Sequence, residues 1–260
     1  MIATALTIAG SDPSGGAGIQ ADLKTFSTLK VYGMSVIAAL TVQNTRGVLN
    51  SMDVPADFVG EQLDAVISDI RPIAVKTGML GRSEIVDVVA SRIRKYAISN
   101  LIVDPVVYST SGSALLKDDA LDVLRRRLLP LALVVTPNLP EAQLLTGRTI
   151  HTVGDMEEAA LDIHGFGAKH VLLKGGHMEG AAIDVFFDGD QFERLERDRI
   201  DTNDTHGTGC VLAAALTAYL ARGESVKSAV HLSKDFVTTA IRNSLRLGTG
   251  RGPCDPIGLL

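Results

Sequence analysis

The sequence predicts one α/β domain spanning residues 1–260, with a mostly parallel sheet covered by helices on both faces. Three observations carry this. Short β-prone apolar runs alternate with helical patterns along the 260 residues, as successive βαβ units do. Near the end of that alternation, Ile183–Phe187 and Gln191–Leu195 flank Asp188-Gly189, a hairpin turn that sets an antiparallel pair at one edge. No internal repeat, low-complexity linker or composition break divides the chain.

Thr4–Ala9 is the first strand, and the glycine-rich stretch Gly10–Gly18 leads from it into a helical pattern that runs through Leu29. Ser35–Val42 is the next strand, ending at Gln43-Asn44-Thr45-Arg46. Pro55 opens a helix to about Ile70, a residue suited to the first helical turn. Ile73–Thr77, Leu101–Asp104, Leu133–Thr136 and Val171–Leu173 read as strands, separated by helices over Glu84–Tyr96, Asp118–Leu128 and Gly154–Phe166. Cys210–Ala221 is an almost wholly apolar run closed by Arg222-Gly223, a buried helix with a glycine past its end. A last helix covers Val226–Leu245, and Gly248–Leu260 reads as a loop.

Composition narrows the function. A formal net charge of −5 speaks against nucleic acid as the main partner. Arg125-Arg126-Arg127 is a solvated helix face. Two cysteines give neither a disulfide framework nor zinc-ligand spacing. No apolar run reaches the ~18 residues of a membrane span, and the first residues enter a strand without a basic leader, so a cytoplasmic protein is expected.

The chemistry concentrates at Asn203–Ala214. Gly207 and Gly209 free the backbone to turn successive N–H groups into one concavity. The helix start behind them offers unpaired donors and a positive dipole end, a seat for phosphate. Gly10–Gly18 matches neither familiar nucleotide fingerprint. It lacks the Gly-Lys-Ser/Thr of a P-loop, and Gly16-x-Gly18-x-x-Ala21 is not followed about 20 residues on by an acid.

The strands end in polar residues or glycine: Gly10-Ser11-Asp12, Gln43-Asn44, Lys76-Thr77, Asp104, Asn138 with Glu141, and Lys174. In an open α/β sheet these ends share one rim, where ligands bind. Asp104 and Glu141, each suited singly to a helix cap or a surface charge, together could hold Mg²⁺. Lys174 is a point charge for phosphate oxygens. Cys210, at the first helical position, is where a helix dipole lowers a thiol pKa. It could take or guide a substrate hydroxyl proton, or simply pack under the turn. These parts suit phosphoryl transfer, which asks for positioning and charge stabilisation.

The stretch Thr7–Phe26 then resembles, almost residue for residue, the opening signature of the hydroxymethylpyrimidine and phosphomethylpyrimidine kinases of the ribokinase-like superfamily. The likeness continues at Val31-Tyr32-Gly33, Gln43-Asn44-Thr45, Gly78-Met79-Leu80, Thr136–Ala142, Lys174-Gly175-Gly176-His177 and Thr205–Cys210. It implies a three-layer sandwich and an ATP- and Mg²⁺-dependent kinase of thiamine biosynthesis, commonly a homodimer. Such an enzyme phosphorylates 4-amino-5-hydroxymethyl-2-methylpyrimidine and then its monophosphate. The resemblance places the pyrimidine near Gly10, Asp22, Gln43 and Met79. It makes Gly207, Thr208 and Gly209 the anion hole, with Cys210 where sugar kinases of the superfamily carry a base aspartate. Asn138, Lys174, Thr205 and Gly209 would meet the nucleotide, and Asp104 and Glu141 the metal. Val107-Tyr108-Ser109, Val211, Ala213 and Gly252-Pro253-Cys254-Asp255 depart from the family pattern. Pyridoxal or pyridoxine kinase is the nearest alternative, since that substrate is also a flat nitrogen heterocycle bearing a hydroxymethyl group. A pyrimidine-sensing module without turnover is another.

Overall fold

The computed structural model describes residues 2–108, 115–176 and 182–258; Ser109 and His177 lie outside them. Nine strands form one sheet: β1 (Thr4–Ser11), β2 (Tyr32–Asn44), β3 (Gly47–Asp53), β4 (Ala74–Thr77), β5 (Leu101–Val103), β6 (Val134–Val135), β7 (His170–Leu173), β8 (Ala182–Phe187) and β9 (Phe192–Arg197). Their order is β3-β2-β1-β4-β5-β6-β7-β8-β9. The six from β2 to β7 run parallel, and β8–β9 adds the expected antiparallel edge.

The inner strands show why helices must cover both faces. Leu6, Ile8, Val75, Leu101, Val103, Val135, Val171 and Leu173 pack into one core cluster. The residues between them, Ala5, Ala74, Ile102, Val134 and Leu172, pack into a second. Successive side chains of a strand point to opposite faces, so an apolar run without alternation is a strand buried twice. Helices α2 (Ala56–Asp69), α3 (Ser83–Lys95), α4 (Asp118–Val123), α5 (Leu139–Thr146) and α6 (Val153–Gly165) close the first face. On the other lie α1 (Gly18–Thr28), α7 (Thr208–Ala221) and α8 (Val226–Arg242).

The structure departs from the sequence reading in three places. β3 pairs antiparallel with β2, with Leu40 opposite Met52, and adds a second antiparallel edge. Its residues are half-buried or exposed, so the alternation that marks a strand is missing. Helix α5 stands where the sequence reading has no helix between Thr136 and Gly154, and Pro140 sits in its first turn, where proline is suited. Asn138 and Glu141 close a reciprocal capping box there: the Asn138 side chain accepts from the Glu141 N–H at 2.9 Å, and Glu141 accepts from the Asn138 N–H at 2.8 Å. The helix after Lys117 holds α geometry only to Val123, and a π turn spans Leu124–Leu128.

Candidate active site

The C-terminal strand ends open into a cavity of about 810 Å³. Gly10 and Asp12 follow β1, Thr41 and Gln43 stand at the end of β2, Met79 follows β4, and Asp104 follows β5. Asn138 and Glu141 follow β6, Lys174 follows β7, and Thr205–Cys210 leads into α7. The structure thus brings every expected site residue except Asp22 to one cavity wall.

The turn before α7 is built on Gly207, which takes φ 78°. A Cβ there would overlap the Gly16 carbonyl, so glycine is required both for the backbone angle and for the close approach. No side chain caps α7; its first residues Thr208, Gly209 and Cys210 line the cavity, and the Thr208 N–H makes one long bond, 3.4 Å, to Thr205 O. A Cβ on Gly209 would stand 3.3 Å from Lys174 Nζ. The ammonium therefore lies directly against the helix start, and positive charge converges from two sources.

Lys174 Nζ donates to Asp104 Oδ1 at 2.9 Å, and Thr136 Oγ1 donates to the same oxygen at 3.0 Å. Burial pulls the Lys174 ammonium down, but Asp104 and Glu141 more than offset it and hold the group above its ordinary value. Glu141 is pushed up to about 7, first by burial and then by Asp104, against the pull of Lys174. Two buried carboxylates thus share one ammonium, a surplus of negative charge that a cation would neutralise. No group of three or more His, Cys, Asp or Glu able to hold a metal occurs among the described residues. Mg²⁺ fits nonetheless, because it takes one or two carboxylates and completes its shell with water and phosphate.

Two expectations need correction. Cys210 does not carry a lowered pKa. Burial raises its thiol to about 11, because desolvation of a thiolate outweighs the pull of the Lys76 ammonium, and Asp22 and Asp104 push the same way as burial. Asp22 does not line the cavity: it is wholly buried, accepting from Lys76 Nζ at 2.9 Å and Thr7 Oγ1 at 2.6 Å. It is a structural partner of Lys76, itself inaccessible to solvent.

Sequence reasoning gave His206 no role. Its Nε2 lies 2.8 Å from Asp12 Oδ2 and 3.4 Å from the Gln43 side-chain nitrogen. Lys234 was missed as well; it reaches the cavity from α8 and pairs with Asp184 at 2.6 Å, while Asp184 also accepts from the Gly175 N–H at 3.0 Å. Both residues act across elements more than 40 residues apart in the chain, so no local spacing announces them.

Comparison with known proteins agrees with this geometry. The phosphomethylpyrimidine kinase family model matches residues 12–255. The hydroxymethylpyrimidine/phosphomethylpyrimidine kinase of Rhizobium meliloti is 52% identical, with 97% of this chain and 96% of that protein covered. The chain is also 49% identical to the thiamine biosynthesis bifunctional protein ThiED of Geobacter sulfurreducens, and it spans about half, 52%, of that longer relative. Among solved structures, the phosphomethylpyrimidine kinase of Clostridium difficile 630 superposes with a TM-score of 0.83 at 46% identity, covering 93% of this chain and all of that one. An ADP complex of Bacillus subtilis pyridoxal kinase gives 0.91 at 42% identity, covering 98% and 97%. With the family model spanning residues 12–255, the turn into α7 included, the chain belongs to the phosphomethylpyrimidine kinase family.

Proposed function

We propose that the chain transfers the γ-phosphoryl group of ATP to the alcohol of 4-amino-5-hydroxymethyl-2-methylpyrimidine, and a second to the resulting monophosphate, as a step of thiamine biosynthesis. The observation that carries this is the uncapped α7 start with Lys174 Nζ against Gly209. Phosphoryl transfer passes through a loose transition state with charge on the equatorial oxygens, so oriented donors and cations are its main catalysts. The amides of Thr208 and Gly209 and the Lys174 ammonium would receive that charge. Asn138 and Thr205, which line the same cavity, would meet the nucleotide. Asp104 and Glu141 are the carboxylates that would hold Mg²⁺, which would supply neutralisation of phosphate charge there. Gly10, Gln43 and Met79, which line the same cavity, would meet the pyrimidine, and Cys210 would take the alcohol proton.

Incubation with ATP, Mg²⁺ and the hydroxymethylpyrimidine, read by mass spectrometry, should give products carrying one and two phosphoryl groups with matching ADP. Absence of ADP and of both masses would remove the proposal. A pyridoxal kinase reading is motivated by the likeness to the Bacillus subtilis pyridoxal kinase. Comparing kcat/KM for the two alcohols decides it, with the aminopyrimidine expected to lead.

The single domain over 1–260 is proposed to act as a homodimer. Leu40, Val42 and Met52 stand exposed on the β2–β3 pair at the edge of the sheet, and sedimentation at twice the chain mass is expected; a monomer would refute it. Among the described residues, no helix is long and apolar enough to cross a membrane. The cytoplasm is the proposed setting because it supplies ATP and keeps a thiol such as Cys210 reduced.

A further inference from the structure

Asp12, His206, Gln43 and Thr41 form a polar chain along the wall assigned to the pyrimidine. The Asp12 carboxylate accepts from the Ser14 N–H at 2.8 Å, Ser14 Oγ at 2.7 Å and the Ala17 N–H at 2.9 Å. His206 Nε2 stands 2.8 Å from Asp12 Oδ2. Three donors already address that carboxylate as an acceptor, so Nε2 carries the proton and donates to it. The Gln43 side chain places its nitrogen 3.4 Å from the same Nε2, which sets donor against donor. Its oxygen lies 3.1 Å from Thr41 Oγ1, yet Thr41 has one proton, and Ser11 O, at 2.9 Å, also asks for it.

Amide nitrogen and oxygen have the same shape, and their assignment follows from the network around them. Turning the Gln43 amide over resolves both conflicts at once. Its oxygen then faces the Nε2–H as the longer arm of a donor whose short arm goes to Asp12, and its NH₂ donates to Thr41, whose proton goes to Ser11 O. We propose that the Asp12–His206 pair is a positioning device that fixes the polarity of the Gln43 amide and so sets which heterocycle the enzyme selects. In this orientation Gln43 keeps one N–H and one lone pair unused. That edge complements a ring nitrogen beside an exocyclic amine, the pattern of a 4-aminopyrimidine, which a pyridinol aldehyde lacks. The inference rests on the aminopyrimidine kinase reading.

The main chain at His206 is held on two sides and its ring on a third. The His206 N–H donates to Gly252 O at 3.1 Å, and the Cys254 N–H donates to His206 O at 3.4 Å. A Cβ on Gly16 would strike the His206 ring. The first loop therefore abuts the imidazole, and the terminal segment fixes the main chain that carries it.

The test is steady-state kinetics of the full chain with the aminopyrimidine, ATP and pyridoxal, comparing wild type with His206→Leu, His206→Gln, Gln43→Ala and the His206→Leu/Gln43→Ala double variant. His206→Leu should raise the aminopyrimidine KM about tenfold, the size of one lost oriented hydrogen bond, and narrow the preference over pyridoxal. The ATP KM should stay within about twofold, since a residue acting through Gln43 alone leaves the nucleotide side untouched. His206→Gln restores an N–H donor and should recover most of the loss. The double variant should be no worse than Gln43→Ala, because one residue acts through the other. An unchanged aminopyrimidine KM in His206→Leu, additive effects in the double variant, or His206→Gln as impaired as His206→Leu would each overturn the inference. A wild type that turns over pyridoxal and not the aminopyrimidine would instead remove the functional reading, and the inference with it.

Discussion

Cys210 shows how one position can be found in the sequence and still be misjudged chemically. Its place after Gly207-Thr208-Gly209 was visible, and it lines the cavity. Its surroundings were not, because Lys76, Asp22 and Asp104, whose charges act on its thiol, come from distant strands and α1. Acting as base, it must first lose a proton whose pKa burial sets at about 11. For a group titrating well above neutrality the thiolate fraction rises tenfold per pH unit, so kcat should climb with about unit slope from roughly pH 7 to 9. Cys210→Ala should abolish that slope, lower kcat by about 10²-fold and leave the pyrimidine KM similar. A pH-independent wild-type kcat, or an active alanine variant, would make Cys210 a packing residue.

At the scale of elements, legibility followed burial. β1 and β4 to β7 were found because both faces are covered, leaving apolar runs bounded by polar ends. β3 escaped because it lies at the exposed edge with no buried face to impose a pattern. α5 escaped although Asn138 and Glu141 stand at capping-box spacing, since Leu139-Pro140 reads equally as a turn. The turn into α7 was legible because two glycines at this spacing have few other uses. Gly207→Ala should show what that turn contributes. It forces a residue with a Cβ to φ 78° against the Gly16 carbonyl, a strain of roughly 1–3 kcal/mol. A lower Tm and a kcat loss larger than the change in pyrimidine KM are expected. An alanine variant with native Tm and kcat would mean the turn is not under this constraint.

For the whole molecule, the sheet brings residues from seven segments to one rim, and that convergence was predictable from strand polarity alone. What lies beneath the rim was not. Lys76 looked like one more rim residue, yet it points into the interior and meets Asp22 where neither is exposed. A buried pair of this kind is costly to break, since removing one charge strands the other. Lys76→Met should lower unfolding free energy by about 3–5 kcal/mol in urea titration, whereas a change within error would place water beside Asp22.

The central claim is that amides opening α7, together with Lys174, hold the migrating phosphoryl group beside the heterocycle's alcohol. Its most direct test is a crystal structure of the chain with a non-hydrolysable ATP analogue and the pyrimidine. The account predicts terminal phosphate oxygens within hydrogen-bond distance of the Thr208 and Gly209 N–H groups and of Lys174 Nζ. A terminal phosphate bound elsewhere in the cavity, out of reach of all three, would contradict it.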